Sequence, residues 1–240
     1  MADELSQPLY AQLRDAIRAR ILEGALSPGD RLPSESELSA VHGVSRITVR
    51  QALGDLQKAG LITRQQGRGA FVAPPRASPS LQRLQGLAEA LAPDGRSVHS
   101  KRLSLRSMRA PAAVARKLGL AAGDPVTQLV SLRYLDRTPL SVNVSHFAAA
   151  VGDRMARIDV SGRDFIDVLE NDLGRPVREA RLEIRAGALS TREARWLGAT
   201  AGAPALHVHR LVLGAGDVPL QVESATYPAD RFSYRLTLAR

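Results

Sequence analysis

The 240-residue chain contains no cysteine. Disulfides, thiolate-bound metals and cysteine nucleophiles are thereby excluded, and the composition fits a reducing compartment. Long apolar runs are missing as well: none approaches the roughly 18 residues a membrane helix needs. The opening "MADELSQPLY" is acidic and has no apolar h-region, so no secretory signal is expected. A cytoplasmic protein without membrane contact is the expectation. Lysine is scarce, confined to Lys58, Lys101 and Lys117, so nearly all positive charge rests on arginine.

What charge there is lies unevenly. The totals are 33 basic and 24 acidic residues, net +9. Residues 1–42 carry four basic and seven acidic side chains, whereas residues 43–69 carry Arg46, Arg50, Lys58, Arg64 and Arg68 against Asp55 alone. A positive surface of this kind suits a polyanion. Taken by itself, the charge is equally compatible with a solvated face.

Periodicity organises the first 73 residues. In "PLYAQLRDAIRARILEG" the apolar residues Leu9, Leu13, Ile17 and Ile21 recur every four positions, as on one face of a helix. Ser34 and Glu37 are spaced as a capping box for a short second helix that Gly43 stops. Ser45 is placed to cap a third helix with Val49, Ala52, Leu53 and Leu56 on its apolar face, ended by Gly60. Two β-prone runs, Leu61–Thr63 and Ala70–Val72, flank a polar turn at residues 65–69. Three helices and a hairpin make a winged helix-turn-helix. Its third helix enters a DNA major groove by the N-terminal turn, which here holds Ser45, Arg46, Thr48 and Arg50. An arginine fork suits guanine, and hydroxyls and amides at a helix start suit phosphate. Taken singly, Arg50 has an alternative use, as an ion-pair partner of Asp55 or Glu35.

"APPRASPS" breaks both periodicities and reads as a linker over residues 74–80, between domains at 1–73 and 81–240. The larger part is mixed. Helices are expected at Leu81–Leu91, Pro111–Leu118, Phe165–Leu173 and Thr191–Leu197. Strands are expected at Val126–Leu135, Leu140–Phe147, Ala180–Ala186, Ala205–Leu213, Leu220–Ala225 and Arg231–Leu238. An α+β fold follows, with an antiparallel sheet and helices to one side. Within it "VARKLGLAAGDPVTQLVSL" matches "EARWLGATAGAPALHVHRL" 79 residues on, and Pro139, Leu140 and Val142 match Pro219, Leu220 and Val222 one residue out of step. A pseudo-symmetric sheet with a cleft between halves is the expectation.

"GDRLPSE", "GVSRITVRQAL" and "GLITRQQGRGAFV", in that order and spacing, resemble the DNA-binding domain of GntR-family bacterial transcriptional regulators. The resemblance implies that Ser34, Ser45, Arg46, Thr48 and Arg50 face DNA and that Gln66, Gly67 and Arg68 form the wing tip. Ser36 stands where many relatives have arginine. It further implies a homodimer on an inverted-repeat operator with half-sites of the GT…AC type. More loosely, "LRYLDRTPLSV", "PLQVESATYPADRFSY" and "LTLAR" resemble the UTRA effector domain of the HutC-type subfamily, which has a chorismate lyase-like fold. The implied effector-binding residues are Arg133, Asn143, Asp164, Gln221, Glu223 and Tyr227. Relatives that sense sugar phosphates pair two arginines where this chain has Ser131 and Arg133, and have a glutamate at Asn143 and a serine at Asp164. Phosphorylated sugars are therefore expected to be poor ligands. Arg133 would hold an anionic group, with Asp164 and Asn143 meeting a polar or cationic one, unless Arg133 and Asp164 simply pair.

His207 and His209 share a strand face, but no third ligand lies nearby in sequence, so no metal site is expected. Trp196 on an amphipathic helix reads as core. The implied function is a ligand-responsive transcriptional regulator, a repressor released by a small metabolite, with no cofactor. A DNA-tethered enzyme is the alternative, although no clustered nucleophile or acid–base pair supports it. The length leaves no room for an aminotransferase-like partner domain, and the strands after residue 120 disfavour an all-helical effector domain.

Overall fold

The computed structural model describes residues 7–80, 83–155 and 157–238. They form two compact units, Met1–Pro75 and Arg76–Arg240.

The first unit contains α1 (Leu9–Leu22), α2 (Glu35–His42), α3 (Arg46–Lys58), β1 (Ile62–Gln65) and β2 (Gly69–Val72). Its core joins Leu13 and Ile17 of α1, Leu38 of α2, the α3 stripe Val49, Ala52, Leu53 and Leu56, and Ile62, Ala70 and Val72 of the hairpin. Leu9 belongs to the four-residue stripe of α1 but is exposed. Each step of four advances about 40° around a helix, so the far end of such a stripe rotates off the core. The capping box at Ser34 is present, and Gly43 closes α2 in the left-handed region at φ 64°. β1 and β2 pair antiparallel from Ile62↔Val72 to Gln65↔Gly69, and Arg31 adds a short bridge to Phe71.

The second unit is built on one antiparallel sheet in the order β3-β4-β5-β8-β7-β6. Its strands are β3 (Val98–Arg109), β4 (Pro125–Leu135), β5 (Thr138–Ala148), β6 (Val177–Ala188), β7 (Pro204–Gly214) and β8 (Pro219–Pro228). The helices are α4 (Leu87–Leu91), α5 (Ala112–Leu118), α6 (Ala149–Met155), α7 (Phe165–Asp167, continued by a wider turn over Val168–Asp172) and α8 (Thr191–Leu197). They cover both faces, not one. Ala115 and Leu118 of α5 pack on Val126 and Val222, and Ala194 and Leu197 of α8 on Val130, Leu132 and Val142. On the opposite face, Leu87 and Leu91 of α4 pack with Val208 and Ala225, and Phe165 and Val168 of α7 with Phe147 and Val212.

The internal repeat is real in three dimensions. β3-α5-β4-β5 is repeated as β6-α8-β7-β8, and the two copies meet where β5 pairs with β8 around Val144↔Ser224. Both copies carry a register shift at the same place, Arg133/Tyr134 and Val212/Leu213. Between the paired residues Tyr134↔Pro139 and Leu213↔Pro219, the second copy holds one residue more, which accounts for the slip in the sequence match.

Two expectations fail together. Arg231–Leu238 is not a strand of the sheet, and the connector is narrower than 74–80. Ala77 is fully buried, and parallel bridges join Ala77 to Phe232 and Ser80 to Arg235. Ala77 donates to the Arg231 carbonyl at 2.9 Å, and Ser233 donates to the Ala77 carbonyl at 3.0 Å. The segment that reads as a linker thus finds its hydrogen-bond partners at the other end of its own unit. The helix expected at Leu81–Leu91 is reduced to α4, and Leu81 and Gln82 lie outside the described residues.

Candidate DNA interface and effector site

The first turn of α3 is held by Ser45, whose Oγ accepts from the Thr48 amide at 3.2 Å and bonds the Thr48 hydroxyl at 2.9 Å. Cap and hydroxyl pair thus satisfy an otherwise unpaired amide and fix both hydroxyls in the first turn. Arg46 is exposed, and no ion pair holds it among the described residues. Arg50 is different: its Nε pairs with Glu35 Oε2 at 2.8 Å while its side chain stays 65% exposed. An exposed pair contributes little stability, so its effect is to tie α3 to the first turn of α2 and set the direction of the guanidinium. Ser34 Oγ is engaged in its capping box, accepting from the Glu37 amide. Gln66, Gly67 and Arg68 form the wing turn, closed by Arg68 donating to the Gln65 carbonyl at 3.0 Å. Gly67 has φ 72°, a conformation costly for other residues. Arg31 was overlooked in the sequence because its neighbourhood is acidic. In the structure its guanidinium lies against Gly69, where an added Cβ would come within 3.3 Å of Nε, so it adds a positive charge at the base of the wing.

In the second unit, alternation along the paired strands puts Ser131, Arg133, Ser141, Asn143, Ser145, Gln221, Glu223 and Arg210 on one face. They form a buried polar strip between two apolar clusters. Asn143 Nδ2 donates to Glu223 Oε1 at 3.0 Å, Ser141 Oγ donates to Asn143 Oδ1 at 2.6 Å, and Gln221 Nε2 donates to Ser145 Oγ at 2.9 Å. Arg210 Nη1 lies 3.6 Å from Glu223 Oε2. Burial opposes the Arg210 charge most strongly of any single cause, but the Glu223 carboxylate and the nearby tyrosines together outweigh it and the pKa rises. Burial raises the pKa of Tyr227, which stays a neutral phenol.

Asp164 does not wait for a ligand. Its Oδ2 accepts from the amides of Ala88 and Glu89 at 2.9 and 3.1 Å, capping α4, and its Oδ1 is 4.0 Å from Arg133 Nη1. Gly86 makes this possible, since a Cβ there would sit 2.0 Å from the carboxylate. Arg133 is 7% exposed, and its Nε, like that of Arg210, is buried without a hydrogen-bond partner. A cavity of about 140 Å³ lined by Leu84, Gly86, Leu87, Leu182, Arg210, Tyr227 and Tyr234 opens beside the strip. Arg210 was missed in the sequence, yet a signal existed: it is the repeat equivalent of Ser131. The second half therefore carries the arginine that the first half lacks.

The other face holds the histidines. His207 Nδ1 lies 3.2 Å from Thr226 Oγ1, whose hydroxyl donates to Glu193, and His209 Nδ1 lies 2.7 Å from Ser224 Oγ. Among the described residues no group of three metal-ligating side chains converges. Trp196 is only partly buried, with the Arg192 guanidinium over its ring. Burial, with Arg106 adding repulsion, lowers the pKa of His146, and burial likewise lowers that of His209. A depressed folded-state pKa means that the unfolded chain takes up the proton first, so stability falls as pH drops below about 6.5. Urea unfolding followed by Trp196 fluorescence should show a lower midpoint at pH 5.5 than at pH 8. His146→Gln should flatten that dependence; an unchanged wild-type midpoint would contradict it.

Comparison with known proteins agrees with this geometry. Residues 9–72 match the family described as bacterial regulatory proteins, gntR family, and residues 94–233 match the UTRA domain. The chain is 28% identical over 227 residues to the HTH-type transcriptional repressor NagR of Bacillus subtilis, covering 95% of this chain and 93% of that protein. It is 32% identical over 241 residues to the HTH-type transcriptional regulator Rv0792c of Mycobacterium tuberculosis, covering 98% and 87%. The crystal structure of PhnF from Mycobacterium smegmatis superposes with a TM-score of 0.74 at 26% identity, covering 95% of this chain and 99% of that one. No helix among the described residues is long and apolar enough to cross a membrane. A capped, arginine-bearing third helix in one unit and a buried polar strip in the other thus belong to one known architecture: the chain is a member of the GntR family of bacterial transcriptional regulators, of the HutC type, with a DNA-binding helix-turn-helix and a UTRA domain for a small-molecule effector.

Proposed function

We propose that the protein is a repressor that binds an inverted-repeat operator as a homodimer and leaves it when a small metabolite fills the second unit. The observation that carries the DNA side is the first turn of α3: a serine cap satisfies its amide, and Arg46 projects from it without a competing carboxylate. Arg46 and Arg50 read bases, Ser34, Ser45 and Thr48 approach phosphates, and Gln66, Gly67 and Arg68 enter the minor groove. On the effector side, the two unpartnered guanidinium nitrogens of Arg133 and Arg210 support an anionic ligand, because a buried donor is rarely left unmatched. Asn143, Gln221, Glu223 and Tyr227 supply its polar contacts. Asp164 acts through Arg133 and α4, so ligand contact with Arg133 also bears on the α4 cap. A catalytic reading gains no support, since the strip pairs its carboxylate with an arginine and an amide and presents no free acid–base couple.

Fluorescence anisotropy tests the DNA side. Arg46→Ala should cost about 1–3 kcal/mol on the selected operator and relax preference at one position per half-site. Arg68→Ala should weaken all duplexes alike and lower the salt dependence. Unchanged operator affinity in Arg46→Ala and Arg50→Ala would refute the recognition-helix assignment.

A further inference from the structure

Leu9, Val41 and Ile47 are the exposed large apolar side chains of the first unit among the described residues. Ile47 is set apart by its neighbours. It lies in the first turn of α3 with Arg46 beside it and Arg50 one turn on along the same face, while Val49, on the opposite side of the helix, is fully buried. An isoleucine left 76% exposed there does nothing for the free protein. β-Branching lowers helix propensity, and no buried area compensates. Nor does the face suit a second copy of itself, because two arginine-flanked turns would repel. It suits a polyanion that offers one small apolar group at groove depth.

Thymine is that group's source. Of the four bases only thymine presents a methyl in the major groove, and apolar side chains read it by contact. We infer that Ile47 reads a thymine 5-methyl group in each operator half-site, between the bases or phosphates reached by Arg46 and Arg50. This rests on the reading of α3 as the recognition helix and adds a specificity element that its arginines and hydroxyls do not supply. Phosphate contacts position the helix, the arginines read purine edges, and Ile47 distinguishes thymine from cytosine.

The test begins with selection of binding sites from a random duplex pool by the full-length protein. Each recurrent thymine of the selected site is then replaced by deoxyuridine, which removes the methyl and leaves the pairing edge intact. At one position per half-site the change should weaken wild-type binding about fourfold, the scale of one buried methyl. Ile47→Ala should bind the thymine duplex more weakly by a similar factor and be indifferent to deoxyuridine there, with Ile47→Val between the two. Tolerance of deoxyuridine by the wild type at every position, or an equal penalty in Ile47→Ala, would overturn the inference and leave the recognition helix standing. Loss of sequence selection altogether, with Arg46→Ala no weaker than wild type, would overturn both.

Discussion

A fragment ending at Pro75 is expected to bind the full operator about 10²- to 10⁴-fold more weakly than the intact chain. The first unit has its own core, from Leu13 and Ile17 through the α3 stripe to Ile62 and Val72, so the fragment keeps the recognition helix and the wing. What it is expected to lose is the partner head of the proposed dimer. A single α3 reads only a few base pairs, and a two-fold protein gains the second half-site as an intramolecular event. That gain requires a dimer contact, which we place in residues 76–240. Sedimentation should find the fragment monomeric, and anisotropy should find similar affinity for half-site and full operator. A fragment that is a stable dimer, or that keeps full-operator affinity, would put the dimer contact in the DNA-binding unit instead.

Glu223→Ala is expected to destabilise the second unit by about 3 kcal/mol, near the low end for removing one member of a buried charge pair. Glu223 is 5% exposed and is shared: Arg210 Nη1 lies 3.6 Å from one carboxylate oxygen, and Asn143 donates to the other at 3.0 Å. Truncation leaves a guanidinium whose Nε is already unpartnered with no counter-charge, and an amide with no acceptor. The 3.6 Å separation is longer than a good charged hydrogen bond, which keeps the effect at the lower end. Replacing both members, Glu223→Leu with Arg210→Leu, should recover most of the loss while abolishing the response to effector. Denaturant unfolding read by Trp196 fluorescence measures it. A loss below about 0.5 kcal/mol in the single variant would place Glu223 outside any structural pair.

Neighbouring residues carried most of what was legible. The caps at Ser34 and Ser45, the glycine stops, the α3 stripe and the four inner strands all depend on interactions within a few positions, so spacing and side-chain type reveal them. The repeat was legible for the same reason, since it compares two local patterns. The edge strands are the least legible: β3 carries no local strand signal and β6 carries one only in its middle. Both are largely exposed, so neither needs a run of apolar residues, and their partners rather than their composition make them strands. The proposed effector residues divide the same way. Family resemblance names Arg133, Asn143, Glu223 and Tyr227, but their hydrogen-bond and ion-pair partners are set by the tertiary structure. Asp164 is spent on the amides of Ala88 and Glu89, Glu223 is divided between Arg210 and Asn143, and Ala77 is buried by pairing beside Phe232. A hydrogen bond across 75 or more residues leaves no periodicity behind, and neither does the ion pair that Arg210 and Glu223 form from two different strands. Local sequence therefore determined the helices, their caps and the inner strands. Only the pairing of distant strands and helices determined which buried charges are compensated and which donors stay unpartnered, because compensation is a property of distance in space.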